Sequence, residues 1–285
     1  MTVEVRPIAA EELERWVDTM HLAFHNSRAA APEVAYRRDF RGQDYARTLA
    51  AFDGERIVGT YETFAADLTL PGGARVPTNA ISAVSVLPTH HRRGVLRRML
   101  TEDLHAACER GELASILIAA EYPIYGRFGF GPATEQAAYR LEVVHAHFTQ
   151  PATGSVDLIE PTRMRQLAPG IFERFRHERP GQIDRDASSW EVRLGLHEVP
   201  WRSGGKAVRS ALYTSPSGEP EGYLLYGVES EWRDHLPSGN LHIDEMVTLS
   251  SAAYLGLWRY CAEIDLVGEI NCDMRPIDEP LQLEI

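Results

Sequence analysis

The stretch VLPTHHRRGVLRRML, residues 86–100, gathers six basic or imidazole side chains around one glycine, in a chain whose formal charge is −12. Upstream, AISAVSVL (80–87) is rich in β-branched and apolar residues and predicts a strand, which Pro88 and Thr89 end. Downstream, Val95, Leu96, Met99, Leu100, Leu104, Ala107 and Cys108 recur at helical spacing and predict a helix. The basic loop therefore joins a strand to a helix N-terminus, with Gly94 near the bend. At such a start the first-turn N–H groups lack intrahelical acceptors, and the helix dipole adds partial positive charge. Together with Arg92, Arg93 and Arg97 they would hold a compact polyanion such as a pyrophosphate, which Gly94 would let the backbone approach closely.

Composition limits what that anion belongs to. A non-specific nucleic-acid binder needs a broad basic face. Here the basic cluster is short and isolated in an acidic chain, which argues against nucleic acid and for the phosphates of a small cofactor. With 285 residues, 44% hydrophobic and 25% charged, the chain has length for roughly two domains. No apolar run has the length of a bilayer span, and MTVEVRPIAA lacks the basic and apolar regions of a signal peptide; a cytoplasmic protein with no membrane partner is expected. Cys108, Cys261 and Cys272 are odd in number and form no C-x-x-C pair, so buried, inert thiols are expected rather than a disulfide framework or zinc site. His90 and His91 are adjacent at a helix entry, where two rings rarely ligate one metal; they are read as loop residues, and no metal is expected.

Strands and helices alternate along the chain. VEVRPI (3–8) alternates as a strand, and residues 11–24 place Leu13, Trp16, Val17, Met20 and Phe24 at helical spacing. A looser region runs to about residue 45. Asp53-Gly54 and Pro71-Gly72-Gly73 then punctuate a hairpin and meander. After the basic loop and its helix come a strand, ASILIAA (114–120), a short turn or helix opened by Pro123, and a last strand over 137–144.

An anion loop after the fourth strand, with no G-x-G-x-x-G after an early one, is not a dinucleotide-binding pattern. It resembles the fold of the GCN5-related N-acetyltransferases (GNAT). Their acetyl-CoA loop has Gln or Arg, two variable residues, Gly, one variable residue, then Gly or Ala; the matching positions are His91, Arg92, Arg93, Gly94, Val95 and Leu96, of which His91 and Leu96 depart from the pattern. VLPTHHRRGVLRRM followed by IYGRFGFGPAT (124–134) resembles one branch, the enhanced intracellular survival (Eis) acetyltransferases. The resemblance implies acetyl-CoA as co-substrate and a tyrosine, Tyr125, as general acid to the coenzyme A sulfur. It also implies cofactor contacts at Val84, Ser85 and Val86 on a splayed strand, at Arg92, Arg93, Gly94, Val95, Leu96 and Arg97 in the loop, and at Ala120 and Glu121. A neutral phenol can donate a proton at neutral pH, and strand N–H groups could polarise a thioester carbonyl.

The second half reads as a polar linker (145–160), a helical stretch with a Pro-Gly break (164–194), a hairpin (206–230), and LHIDEMVTLSSAAYLGLWRYCAEIDLV (241–267). That last segment repeats the layout of residues 79–108 without its basic residues and glycine. The expectation is an α/β (α+β) chain of tandem GNAT folds with mixed central sheets flanked by helices. Residues 1–150 form the catalytic domain, and residues 151–285 a degenerate one without a phosphate loop. One cofactor then binds per chain. Eis-like proteins continue into a third, sterol-carrier-like domain, which is absent here; the terminal carboxylate of Ile285 is given no role. The resemblance also implies a cationic amine as acceptor (an aminoglycoside, a polyamine or a lysine side chain) and a homo-oligomer, a hexamer. In LAFHNSR, Phe24 and Asn26 fall at pocket-lining positions. The alternatives are an acyl-CoA-binding sensor without turnover or an interaction protein.

Overall fold

The computed structural model describes residues 3–27, 29–199, 208–233 and 236–281. Contacts divide the chain into two units, residues 1–131 with 182–184, and residues 132–181 with 185–285.

The first unit is a five-stranded sheet in the order β1-β2-β3-β4-β5, with β1 Glu4–Pro7, β2 Thr48–Asp53, β3 Arg56–Thr69, β4 Arg75–Val86 and β5 Ala114–Leu117. The turns form where glycine supplies a left-handed backbone: Gly54 (φ +62°) closes β2–β3, and Gly72 and Gly73 (φ +87° and +81°) close β3–β4. Helix α1 (Leu13–Ala23) buries Leu13, Trp16, Val17 and Met20 against Ala50, Phe52 and Ile57. On the opposite face α3 (Val95–Glu109) buries Val95, Met99 and Leu100 against Leu49, Ala51, Val58, Tyr61 and Ile81. Alternate residues of one strand thus feed two helix layers, which is why these strands read as nearly continuous apolar runs. The crossover through α3 makes β4 and β5 parallel, and all other pairs are antiparallel.

The loose region before residue 45 contains α2 (Ala30–Ala35) and a π-helical turn (Tyr36–Arg41). No apolar stripe announces them because ions hold them. Arg37 bridges Glu33 (2.9 Å) and Glu62 of β3 (2.8 Å), and His21 of α1 meets Glu33 at 2.7 Å, all of them buried. Cys108 is exposed, against expectation, because it turns one step past the buried Ala107 toward solvent.

The second unit is a six-stranded sheet in the order β6-β13-β12-β9-β8-β7. Its strands are β6 Gln136–Glu142, β7 Ser155–Leu158, β8 Arg209–Thr214, β9 Pro220–Glu229, β12 Gly239–Thr248 and β13 Val267–Pro276; a separate two-residue hairpin is made by β10 (Trp232–Arg233) and β11 (Leu236–Pro237). One face packs on α4 (Pro161–His177) and α5 (Ala187–Arg193) through Phe172, Trp190, Tyr223 and Leu225. The other packs on α6 (Ser251–Ala262) through Leu257, Trp258, Cys261, Leu224 and Leu241. Of the two Pro-Gly pairs in the helical stretch, Pro169-Gly170 lies within α4 and the break falls at Pro180-Gly181. The strand expected to close the first sheet is β6, and it pairs with β13, setting Leu141 opposite Ile270 in the second unit's core. Contacts accordingly divide the chain after Gly131, ahead of the boundary expected at residue 150. Cys261 and Cys272 are buried in that core, and burial pushes the Cys272 thiol up to about 11 and the Cys261 thiol higher still.

Candidate active site

The first unit's site starts from a defect in its sheet. Thr60 pairs with Ser85 and Glu62 with Ser82, so Ala83 and Val84 both stand opposite Tyr61 and β4 bulges, with Ala83 at φ +51°. The Thr60 hydroxyl stabilises the bulge by donating to Ala83 O (2.8 Å) and lying 2.7 Å from Ser85 Oγ. Gly59 leaves room beneath it: a Cβ there would lie 3.1 Å from Ser85 O and 3.2 Å from Met99 Cε. On the other edge, β4–β5 pairing ends at Ile81–Leu117, so Val84, Ser85 and Val86 run on without a neighbouring strand. Leu87 N–H bonds back to Val58 O of β3 at 2.8 Å. By alternation the N–H of Val86 points the other way, into the open side. The Val86 carbonyl on that side accepts from His91 Nε2 at 2.9 Å.

The basic loop follows directly. His90 is buried and ties the loop to the β2–β3 turn, with Nε2 3.2 Å from Asp53 Oδ2 and Nδ1 2.8 Å from Thr89 Oγ1. Arg92 (φ +62°) and Gly94 (φ +77°) both take left-handed backbone, and nothing lies within 4 Å of a Cβ built on Gly94. The first intrahelical bond of α3 runs from Arg98 N–H to Gly94 O (3.1 Å), which leaves the N–H groups of Val95, Leu96 and Arg97 at the open end. Val95 is buried and anchors that end, while Leu96 is half-buried. Arg92, Arg93 and Arg97 are exposed and have no ion-pair partner among the described residues. Three guanidiniums unpaired among the described residues, set beside the first-turn N–H groups in a chain of charge −12, fit a pyrophosphate.

Beyond β5, Ala120 and Glu121 are exposed and lead into two 3₁₀ turns that meet at Tyr125. Phe128 and Phe130 pack onto the α3-side core, which docks this turn in the first unit, and the Tyr125 ring lies edge-on to Phe130 with centroids 6.0 Å apart. Burial, and then the charge of Glu121, raise the Tyr125 hydroxyl above the usual phenol range, so it keeps its proton. Phe24 (51% exposed) and Asn26 sit on the turn that ends α1. Ala23, just before that turn, packs on the same core as Val84 and Val86. The residues expected from the sequence therefore fall on four segments, the end of α1, the end of β4, the anion loop and the turn at Tyr125, each of which has a residue on the α3-side core. Ile285 lies outside the described residues.

Thr60, the Ala83 bulge and two buried polar groups escape sequence reading. One group is the His21–Glu33–Arg37–Glu62 chain. The other is Asp103 on α3, which accepts from Tyr61 Oη (2.9 Å) and Asn79 Nδ2 (2.6 Å). The available signal was a carboxylate inside an apolar pattern, Glu62 within a strand and Asp103 within the helix stripe.

The second unit has the same layout with each feature filled from within. Its helix α6 starts at Ser250, whose hydroxyl accepts from Ala253 N–H (3.2 Å) and donates to Glu221 (2.7 Å), so the first turn is self-capped beside a carboxylate. Parallel β12–β13 pairing stops at His242–Asn271. Beyond it, Arg275 reaches across to Met246 O (3.1 Å) and pairs with Glu279 (3.0 Å), which also receives the Tyr254 hydroxyl. The Glu221 and Glu279 carboxylates at these positions disfavour an anion there.

A parallel strand pair that splays where a crossover helix begins, present twice in one chain, defines tandem GNAT units. Residues 4–133 and 181–285 each match an Acetyltransferase (GNAT) domain family. An uncharacterized N-acetyltransferase of Streptomyces avermitilis is 38% identical over 98% of this chain and 68% of its own length. The N-acetyltransferase Eis of Mycobacterium tuberculosis is 33% identical over 79% of this chain and 54% of its own. The crystal structure of Eis1 from Mycobacterium abscessus superposes with a TM-score of 0.81 at 29% identity, covering 100% of this chain and 69% of that one. The chain belongs to the Eis-like acetyltransferases of the GNAT superfamily.

Proposed function

We propose that the first unit moves the acetyl group of acetyl-CoA to a primary amine of a cationic substrate, such as an aminoglycoside, a polyamine or a lysine side chain. The observation that carries this reading is the continuity of the open β4 edge with an anion loop whose Arg92, Arg93 and Arg97 have no ion-pair partner among the described residues. Arg92, Arg93, Arg97 and the N–H groups of Val95, Leu96 and Arg97 would hold the pyrophosphate. The strand at Val84, Ser85 and Val86 would bond pantetheine and polarise the thioester carbonyl, flanked by Ala120 and Glu121. Nitrogen attacks the carbonyl carbon, the C–S bond breaks, and Tyr125 gives its proton to the departing thiolate. Phe24 and Asn26 would line the acceptor side. The charge of −12 supports attraction of cations. No helix of the described residues is long and apolar enough to cross a membrane. A cytoplasmic hexamer is proposed on family resemblance, and light scattering measures it.

Amine-dependent thiol release from acetyl-CoA tests the reading across these three substrate classes. Arg92→Ala is expected to weaken acetyl-CoA binding, and Tyr125→Phe to lower kcat about a hundredfold at unchanged acetyl-CoA affinity. Binding that Arg92→Ala weakens, with no release toward any amine, would instead indicate an acyl-CoA sensor.

A further inference from the structure

We propose that the His91 ring, bonded to the Val86 carbonyl, keeps the place of a pantetheine amide on β4, and that an acyl-CoA must displace it to bind; this rests on the acetyl-CoA site of the reading above. His91 stands where the superfamily loop carries Gln or Arg, so the device belongs to this chain's own departure from that pattern.

The backbone fixes where the ring lies. His90 N–H bonds to Leu87 O (2.8 Å) and His91 N–H to Pro88 O (3.4 Å), a tight turn that brings the chain back beside the end of β4. The buried His90, tied to Asp53, anchors that turn. The His91 side chain then reaches back five residues, with Nε2 2.9 Å from the Val86 oxygen. A carbonyl can only accept, so Nε2 carries the proton and donates it. His91 is exposed, and among the described residues its ring makes no other hydrogen bond or ion pair.

The carbonyl it occupies belongs to the open edge. Pairing of β4 with β5 ends at Ile81–Leu117 and Leu87 N–H turns to β3, so the N–H and C=O of Val86 face away from β3. A ligand that carries amides binds such an edge as an added strand does, matching donor to acceptor along it. A paired strand lies about 4.8 Å from its neighbour. A ring bonded to the Val86 oxygen stands within that space, so the ring and a pantetheine N–H compete for one acceptor.

The second unit contains the permanent form of the same contact. A Cβ built on Gly222 would lie 2.9 Å from Val247 O, as one on Gly59 would lie 3.1 Å from Ser85 O, which aligns Met246 with Val84 on the open edge. Met246 O accepts from Arg275 Nη1 at 3.1 Å, and that guanidinium is largely buried and paired with Glu279. A buried, ion-paired donor stays in place. An exposed imidazole held by one hydrogen bond leaves at small cost, so this edge is covered in the free protein and yields to its ligand.

Titration calorimetry of the wild type and His91→Ala tests the assignment with two ligands: acetyl-CoA, and ADP, which has the diphosphate and no pantetheine. Acetyl-CoA is expected to bind His91→Ala roughly three- to tenfold more tightly, the range of one net hydrogen bond, with ADP affinity unchanged. Arg92→Ala should weaken both ligands, the opposite sign. Acetyl-CoA affinity that is unchanged or weaker in His91→Ala overturns the proposal, the ring then being a support of the loop. A gain shared equally by ADP also overturns it, since the ring would be acting on the diphosphate site. A wild type that does not bind acetyl-CoA removes the site and the proposal together, whereas one that binds it and releases no thiol to any amine overturns the transferase reading alone.

Discussion

Tyr125 shows how a single residue acquires its chemistry from packing. Its hydroxyl is raised by burial and then by the charge of Glu121, both of which disfavour the phenolate. The acid form therefore persists above the ordinary phenol range near pH 10. The expected pH profile of kcat has no alkaline fall attributable to this group until beyond pH ~10. Replacing Glu121 with Gln removes the repulsive charge and should move that fall to lower pH, the sign following from the loss of a group that opposes ionisation. Steady-state kinetics from pH 7 upward measure both limbs. A fall that moves upward in Glu121→Gln would refute the assignment.

At the scale of elements, ions and caps replace apolar stripes in two places. Helix α2 is held by Arg37 between Glu33 and Glu62, all of them nearly inaccessible, with the guanidinium also lying 5.1 Å from the Trp16 ring. Arg37→Met takes the shared cation from two buried carboxylates, leaving Glu62 only Arg41 at 3.4 Å and Glu33 only His21 as ion partners, and a loss of about 3 kcal/mol is expected in urea unfolding. Replacing Glu33 and Glu62 with Gln in the same chain should recover much of it, because the uncompensated charge is what costs stability. In the second unit, Ser250→Ala removes the cap of α6 and should cost about 1 kcal/mol. It should create no second acetyl-CoA site, since Arg275 still occupies the gap between β12 and β13. Titration calorimetry is expected to return one acetyl-CoA per chain for both proteins.

Across the whole molecule, acidity and stability are linked through carboxylates held low. Bonding to Arg6 brings Glu12 to about 2, and burial of Glu62, Glu112 and Glu245 is outweighed by their arginine partners, so each lies below its usual range. A carboxylate with a depressed folded-state pKa contributes stability that is fully present above its unfolded value, near pH 4.3, and is lost as pH falls toward the folded one. The urea midpoint should hold steady from neutrality to about pH 5 and then drop steeply toward pH 2. Glu12→Gln should flatten the last part of that drop, and a midpoint independent of pH below 5 would contradict the linkage.

What the sequence determined by itself is what a few consecutive residues decide. The strand, basic loop and helix of residues 80–108, the turn at Asp53-Gly54, the string around Tyr125 and the muted copy over 241–267 were legible, because periodicity, glycine and charge act over short spans. Only tertiary structure decided the partner of β6, since its alternating pattern fits either sheet and the choice lies in the fit of Leu141 against Ile270. The bulge at Ala83 is likewise a mismatch of register between β3 and β4, invisible in either strand alone. Helix α2, the exposed face of Cys108 and the Arg275 plug depend on groups far away in sequence meeting in space. A buried charge becomes tolerable only where the fold delivers its partner, and no local pattern encodes that meeting.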